Sequence, residues 1–201
     1  MTSPDLISAD EALQRLIDGN ERFRRGEPCF PTVQKEILAQ LASGQHPYAT
    51  ILGCSDSRVP PELLFDVGFG ALFVIRVAGN VLSPEVMGSI QYAGVHLCTP
   101  LFVVLGHEGC GAVQAALDAR RGVRHQSRIQ TLVDDILPGL AEVDPQAPPA
   151  AQLARAVEAN VRWSMRQIME TPEARARAAA GRMKLVGGIF DIALGCVRFL
   201  S

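Results

Sequence analysis

Three short apolar runs constrain this chain more than any other feature: "YATILG" (48–53), "ALFVIRVAG" (71–79) and "PLFVVLG" (100–106). Runs this short, bounded by Gly and Pro and rich in β-branched residues, read as buried strands rather than helices. Helix signals lie between them. Pro60-Pro61 can open a short helix carrying Glu62, and Ser83-Pro84 supplies an N-cap and a proline at the first helical position for a helix to about Leu97. "GCGAVQAALDARR" opens another helix directly after the third run. Strand, helix, strand, helix, strand predicts a parallel sheet with right-handed crossovers. The end, "KLVGGIFDIALGCVRFL", reads as a strand, a bend near Gly195 and a short strand. The expected fold is α/β: a mostly parallel central sheet of four to five strands flanked by helices.

Before the first strand lies a helical arm, about residues 8–43. Ser8 and Glu11 form a capping box, and Leu13, Leu16, Ile17 and Phe23 follow at helical spacing until Gly26 and Pro28 stop the helix. A second helix fits 32–43, with Val33, Ile37, Leu38 and Leu41 on one side. Residues 127–181 read as mostly helical, broken near Pro138 and at 144–149. No linker, repeat or low-complexity tract divides the chain, so residues 1–201 are expected to form one domain, with the α/β core over about 48–201.

That topology delivers chemistry to one place. Cys54 falls just past the first strand, and His107 and Cys110 just past the third. Open α/β sheets bind ligands outside those strand ends. A lone Cys54 could be core packing, a nucleophile, half a disulfide or a metal ligand. The five cysteines, at 29, 54, 98, 110 and 196, are odd in number and widely spaced, which argues against a disulfide framework. Cys29, Cys98 and Cys196 read as packing or exposed residues. His107-x-x-Cys110 places two donors within one turn, and Gly106, Gly109 and Gly111 are expected to let the backbone wrap an ion. Two thiolates and an imidazole select Zn²⁺, and three protein ligands leave the open position typical of a catalytic site. Asp56 is the best candidate for that position, binding zinc directly or hydrogen-bonding a zinc-bound water. Arg58 is placed to pair with its carboxylate.

Other features set expectations by exclusion. A net charge of −2 gives no basic surplus for nucleic acid. The N-terminus shows no basic region followed by an apolar one, and no apolar stretch approaches the ~20 residues of a membrane span. A reducing cytoplasm is the expected compartment. Glu62 and Arg76 read as structural polar groups, and His46, His96 and His125 as surface or satisfied histidines that could at most shuttle protons.

"CSDSRVPPE" with "GHEGCGAV", joined by "LFVIRVAGN" and "GSIQYAGVHL", resembles the β-class carbonic anhydrases over nearly the whole chain, including "ALQRLIDGNERF" and "KLVGGIFDI". The resemblance implies a zinc enzyme, one ion per chain, interconverting CO₂ and bicarbonate by attack of a zinc-bound hydroxide, with a homodimer as the basic unit of assembly. It makes Cys54, His107 and Cys110 the zinc ligands and Asp56 and Arg58 a catalytic dyad that keeps the fourth position open. It assigns Gln45, Phe73, Tyr92 and the Gly111 amide to substrate, the aromatics being partly lent by a neighbouring subunit. Ile51 and Gln45 match the plant-type subgroup. Val67 and Ala71 depart from the family pattern at positions that carry neither zinc nor dyad. Left open are a hydrolase of carbon disulfide or carbonyl sulfide on the same scaffold, a non-catalytic zinc module closed by Asp56, and a cysteine-nucleophile hydrolase.

Overall fold

The computed structural model of the chain describes residues 7–29 and 35–200. Helix α1 (Ala9–Arg25) starts where the sequence signals it: Ser8 Oγ accepts the Glu11 N–H at 3.1 Å. The reciprocal half of the capping box does not form, because Glu11 turns its carboxylate to Arg15, 2.7 Å away and one turn on. Gly26, left-handed at φ 68°, closes the helix by donating to the Arg22 and Phe23 carbonyls. Helix α2 (Lys35–Leu41) falls inside the expected 32–43 span, while Val33 lies outside the described residues.

The core follows in order: β1 (Ala49–Gly53), α3 (Pro61–Leu64), β2 (Leu72–Arg76), α4 (Pro84–Val95), β3 (Leu101–His107) and α5 (Gly111–Arg120). Helices α6 (Arg128–Ile136), α7 (Pro149–Glu170) and α8 (Pro172–Ala179) lead to β4 (Lys184–Asp191) and β5 (Cys196–Leu200). The sheet order is β2-β1-β3-β4-β5, with the first four strands parallel and β5 antiparallel to β4. The second strand is shorter than its apolar run suggests. It stops at Arg76 because a single 3₁₀ turn follows at Ala78–Asn80, with Gly79 and Asn80 at φ 69° and 45°. The expected break near Pro138 is a 3₁₀ turn, Leu137–Leu140.

Strands β1 and β3 are buried throughout and form the centre of the core. Each Val, Leu or Ile sequestered there contributes about 1.5–3 kcal/mol of hydrophobic stabilisation. Helix α7 packs on β3 and β4 with Val157, Val161 and Ile168 inward. Glycines permit the approach: a Cβ on Gly106 would lie 2.6 Å from Val161 Cγ2, and one on Gly187 2.9 Å from Val161 Cγ1. This corrects the expected role of Gly106, which makes room for α7 rather than wrapping an ion. Asn20 ties α1 down, donating to the Leu64 and Gly195 carbonyls at 3.0 and 3.1 Å and accepting the Val197 N–H at 2.8 Å. Among the described residues, no helix is long and apolar enough to cross a membrane.

Candidate metal centre

The parallel register aligns the strand ends. Gly53, the last residue of β1, pairs with Arg76 of β2 and Leu105 of β3, so Cys54 leaves the sheet beside the end of β3. His107 is the final residue of β3, and Cys110 is the N-cap of α5. Gly109, at φ 65°, makes the tight reversal between them. The two sulfurs and an imidazole nitrogen all lie within 4.8 Å of one another, and all three residues are buried.

The side chains are poised as donors. His107 Nδ1 sits 2.9 Å from the Glu108 carbonyl, so its proton belongs there. That leaves Nε2 as a lone pair, and among the described residues this buried atom has no hydrogen-bond partner. A buried nitrogen without a partner beside two thiols is what a metal ligand looks like. The thiols are strongly unequal. The contact from Cys110, followed by His107 and the Gly79 amide, lowers the Cys54 pKa to about 4 against the opposing effect of burial. Hydrogen bonding to Cys54, burial and the Cys54 charge push Cys110 well up. Burial pulls His107 down, but contact with Cys54 outweighs it and the net shift is upward. One negative sulfur thus penalises a second, a repulsion that a divalent cation would reverse. The trio fits Zn²⁺ by donor softness, number and burial.

Beside the trio stands the carboxylate. Asp56 Oδ1 accepts from the Arg58 backbone N–H at 3.0 Å and from Nε at 2.9 Å, and Oδ2 accepts from Nη2 at 2.7 Å. These bonds hold Asp56 well below the usual carboxylate range. Oδ2 is 3.8 Å from His107 Nε2, which puts the carboxylate at the mouth of the trio. Arg76 also takes part: its Nε and Nη2 donate to the Cys54 and Asp56 carbonyls at 2.9 and 2.5 Å, fixing both ends of the Cys-x-Asp segment. The sequence reading gave Arg76 only a structural role. Its signal was a single charge inside "LFVIRV".

The remaining candidates divide. Gly111, an exposed residue, opens α5 next to Cys110. Gln45, Phe73 and Tyr92 do not converge on the trio within one chain. Gln45 precedes β1, whose length, about 15 Å at the usual rise, stands between it and Cys54. Phe73 pairs with Thr50, three residues short of the sheet rim, and its ring lies tilted against Tyr92 with centroids 6.0 Å apart. Tyr92 is 46% exposed. Of the possible shuttles, His125 Nε2 is paired with the Ala115 carbonyl and His96 lies against the Tyr92 ring. Cys29 and Cys98 are exposed and Cys196 half-buried, all three free thiols outside the trio.

A mostly parallel α/β sheet that brings a buried Cys₂His set and an Arg-held carboxylate to its strand ends has the build of an α/β enzyme with a candidate metal centre. Similarity narrows the class. The carbonic anhydrase family profile matches residues 49–197. The chain is 45% identical over 142 residues to carbonic anhydrase 2 of Mycobacterium tuberculosis, covering 66% of this chain and 69% of that protein. It is 38% identical over 199 residues to the carbonic anhydrase of Mycolicibacterium smegmatis, covering 94% and 92%. A tetrameric β-carbonic anhydrase from Sordaria macrospora superposes with a TM-score of 0.76 at 28% identity, covering 83% of this chain and 86% of that one. This chain belongs to the carbonic anhydrase family, in its β class.

Proposed function

We propose that the chain catalyses the reversible hydration of carbon dioxide to bicarbonate and a proton, with one Zn²⁺ held by Cys54, His107 and Cys110. The observation that carries this is the unpartnered His107 Nε2 facing two buried sulfurs, in a chain of this family. Bound there, zinc supplies a Lewis acid that makes water a nucleophile near neutral pH. Two thiolates offset the ion's charge, so the site acidifies water less than a three-histidine site does, and activity rises with pH.

Asp56 and Arg58 set the geometry of attack. With both carboxylate oxygens engaged by Arg58, Asp56 stays ionised and is held in place at the mouth of the trio. A lone pair on Oδ2 accepts a hydrogen bond from the attacking oxygen and so aims that oxygen at CO₂, with no proton transferred to Asp56. The Gly111 amide, at the start of α5, donates to the developing bicarbonate, where the helix N-terminus favours negative charge. The open arrangement of the dyad supports assignment to the plant-type subgroup.

Gln45, Phe73 and Tyr92 serve substrate across a homodimer interface. Leu38, Phe69, Tyr92 and Val95 are 48%, 60%, 46% and 57% exposed, which is apolar surface that a second copy would cover. We place the enzyme in the cytoplasm, where thiolate ligands stay reduced.

Stopped-flow CO₂ hydration by wild type and Asp56→Asn tests the mechanism. We expect a loss of about 10²–10⁴-fold in kcat/KM with zinc retained, the range for losing a positioned proton-handling group. Wild-type rates in Asp56→Asn would remove Asp56 from the mechanism.

A further inference from the structure

The Cys54 sulfur has a neighbour that the hydration chemistry leaves unexplained. The Gly79 N–H donates to it at 3.4 Å from the turn that follows β2. That turn is conformationally demanding: Gly79 and Asn80 are both left-handed, and Asn80 carries a side chain at φ 45°. It is also tightly enclosed. A Cβ on Gly79 would lie 2.8 Å from Ile136 Cδ1 of α6 and 3.0 Å from Ala112 Cβ of α5.

Helix α7 supplies the grip. Asn160 Nδ2 donates to the Gly79 carbonyl at 2.8 Å, on the same residue whose N–H faces the sulfur. One turn on, Ser164 Oγ lies 3.1 Å from both the Asn80 carbonyl and the Asn160 carbonyl of its own helix, which share its one hydrogen, and it accepts from Asn80 Nδ2 at 3.5 Å. Asn160 and Ser164 are 1% and 2% exposed, set at an i, i+4 spacing on the face that buries Val157, Val161 and Ile168. Asn160 Oδ1 has no hydrogen-bond partner among the described residues, so the polar contact of this buried amide is spent on the Gly79 carbonyl. An apolar residue would fill either place on that face at lower desolvation cost.

We propose that Asn160 and Ser164 are positioning residues of the metal centre. They lock the Ala78–Asn80 turn so that the Gly79 N–H stays on the Cys54 sulfur, orienting that thiolate and moderating its donor strength toward zinc. The inference rests on the metal site assigned above. Hydrogen bonds from outside a ligand set both orient the ligands and tune the metal, and losing such a partner costs about 10–100-fold in metal affinity or activity. The glycines at 106 and 187 belong to the same device, since they let α7 come close enough for Asn160 to reach the turn.

The test is zinc affinity, by competition with a chromophoric chelator, together with the thiolate-to-cobalt charge-transfer band of the Co²⁺-substituted protein. It compares wild type, Asn160→Leu, Ser164→Ala and a control, Ile168→Ala, which loosens the same helix without touching the turn. We expect Asn160→Leu to weaken zinc binding about 10–100-fold and to shift the cobalt band. Ser164→Ala should move both in the same direction by less. Ile168→Ala should lower thermal stability while leaving both at wild-type values. If Asn160→Leu does not fold, Ser164→Ala against Ile168→Ala decides. Wild-type zinc affinity and cobalt band in the folded Asn160 or Ser164 variants would overturn the inference while leaving the metal site standing. Absence of zinc binding by wild type would instead overturn the metal site, and the inference with it.

Discussion

At the scale of single residues, the proposed mechanism rests on the Asp56–Arg58 ion pair at the mouth of the trio. Isolated exposed pairs contribute about 0–1 kcal/mol to stability, so the worth of this one lies in where it keeps the carboxylate. The sign of its pH effect follows directly. Arg58 lowers the Asp56 pKa from its ordinary value, so the carboxylate is already ionised at the acid end of the working range and gains no charge between pH 6 and 9. A rise of activity with pH over that interval would therefore belong to water activated by the proposed metal. Rate–pH profiles of wild type and Asp56→Asn are expected to share a midpoint while differing in height; a displaced midpoint in the variant would assign the titration to Asp56. The dyad was legible from sequence because its members alternate along one strand exit. Arg76 was harder to read, since its guanidinium acts on backbone carbonyls that no pattern of residue types reveals.

At the scale of elements, close approach decides stability. Gly106→Ala would place a methyl 2.6 Å from Val161 Cγ2 and push α7 off β3. Overpacking of this kind costs about 1–3 kcal/mol, read as a lower urea midpoint with little change in slope. Asn20→Leu would leave the Leu64 and Gly195 carbonyls and the Val197 amide unpaired. A loss of about 2–4 kcal/mol is expected, again by urea unfolding, and wild-type stability would show that solvent replaces the clasp. Strands, crossovers and helix starts were readable because their signals are local: apolar runs, Ser83-Pro84 and Gly195. The end of β2 was not, because "VAGN" continues the apolar run while its backbone turns left-handed. Asn160 and Ser164 left a faint trace, two polar residues among Val157, Val161 and Ile168 on the buried face of α7. Their targets, 81 and 84 residues away in sequence, become visible only once α7 is docked.

At the scale of the whole molecule, the sheet gathers Cys54, His107 and Cys110 from distant sequence onto one rim, while Phe73 and Tyr92 stay away from it near an edge strand. This division is the ground for the proposed homodimer. Sedimentation analysis is expected to find a dimer or a multiple of it, and Tyr92→Glu with Val95→Asp to shift it toward monomer and depress activity with zinc retained. A fully active monomer would confine the site to one chain. The most direct measurement is CO₂ hydration during zinc titration of the metal-stripped protein, with bound zinc determined on the same samples. The rate should climb in proportion to bound zinc and break at one ion per chain. A fully loaded protein without CO₂ hydration at pH 8–9, or a rate indifferent to zinc, would contradict the account.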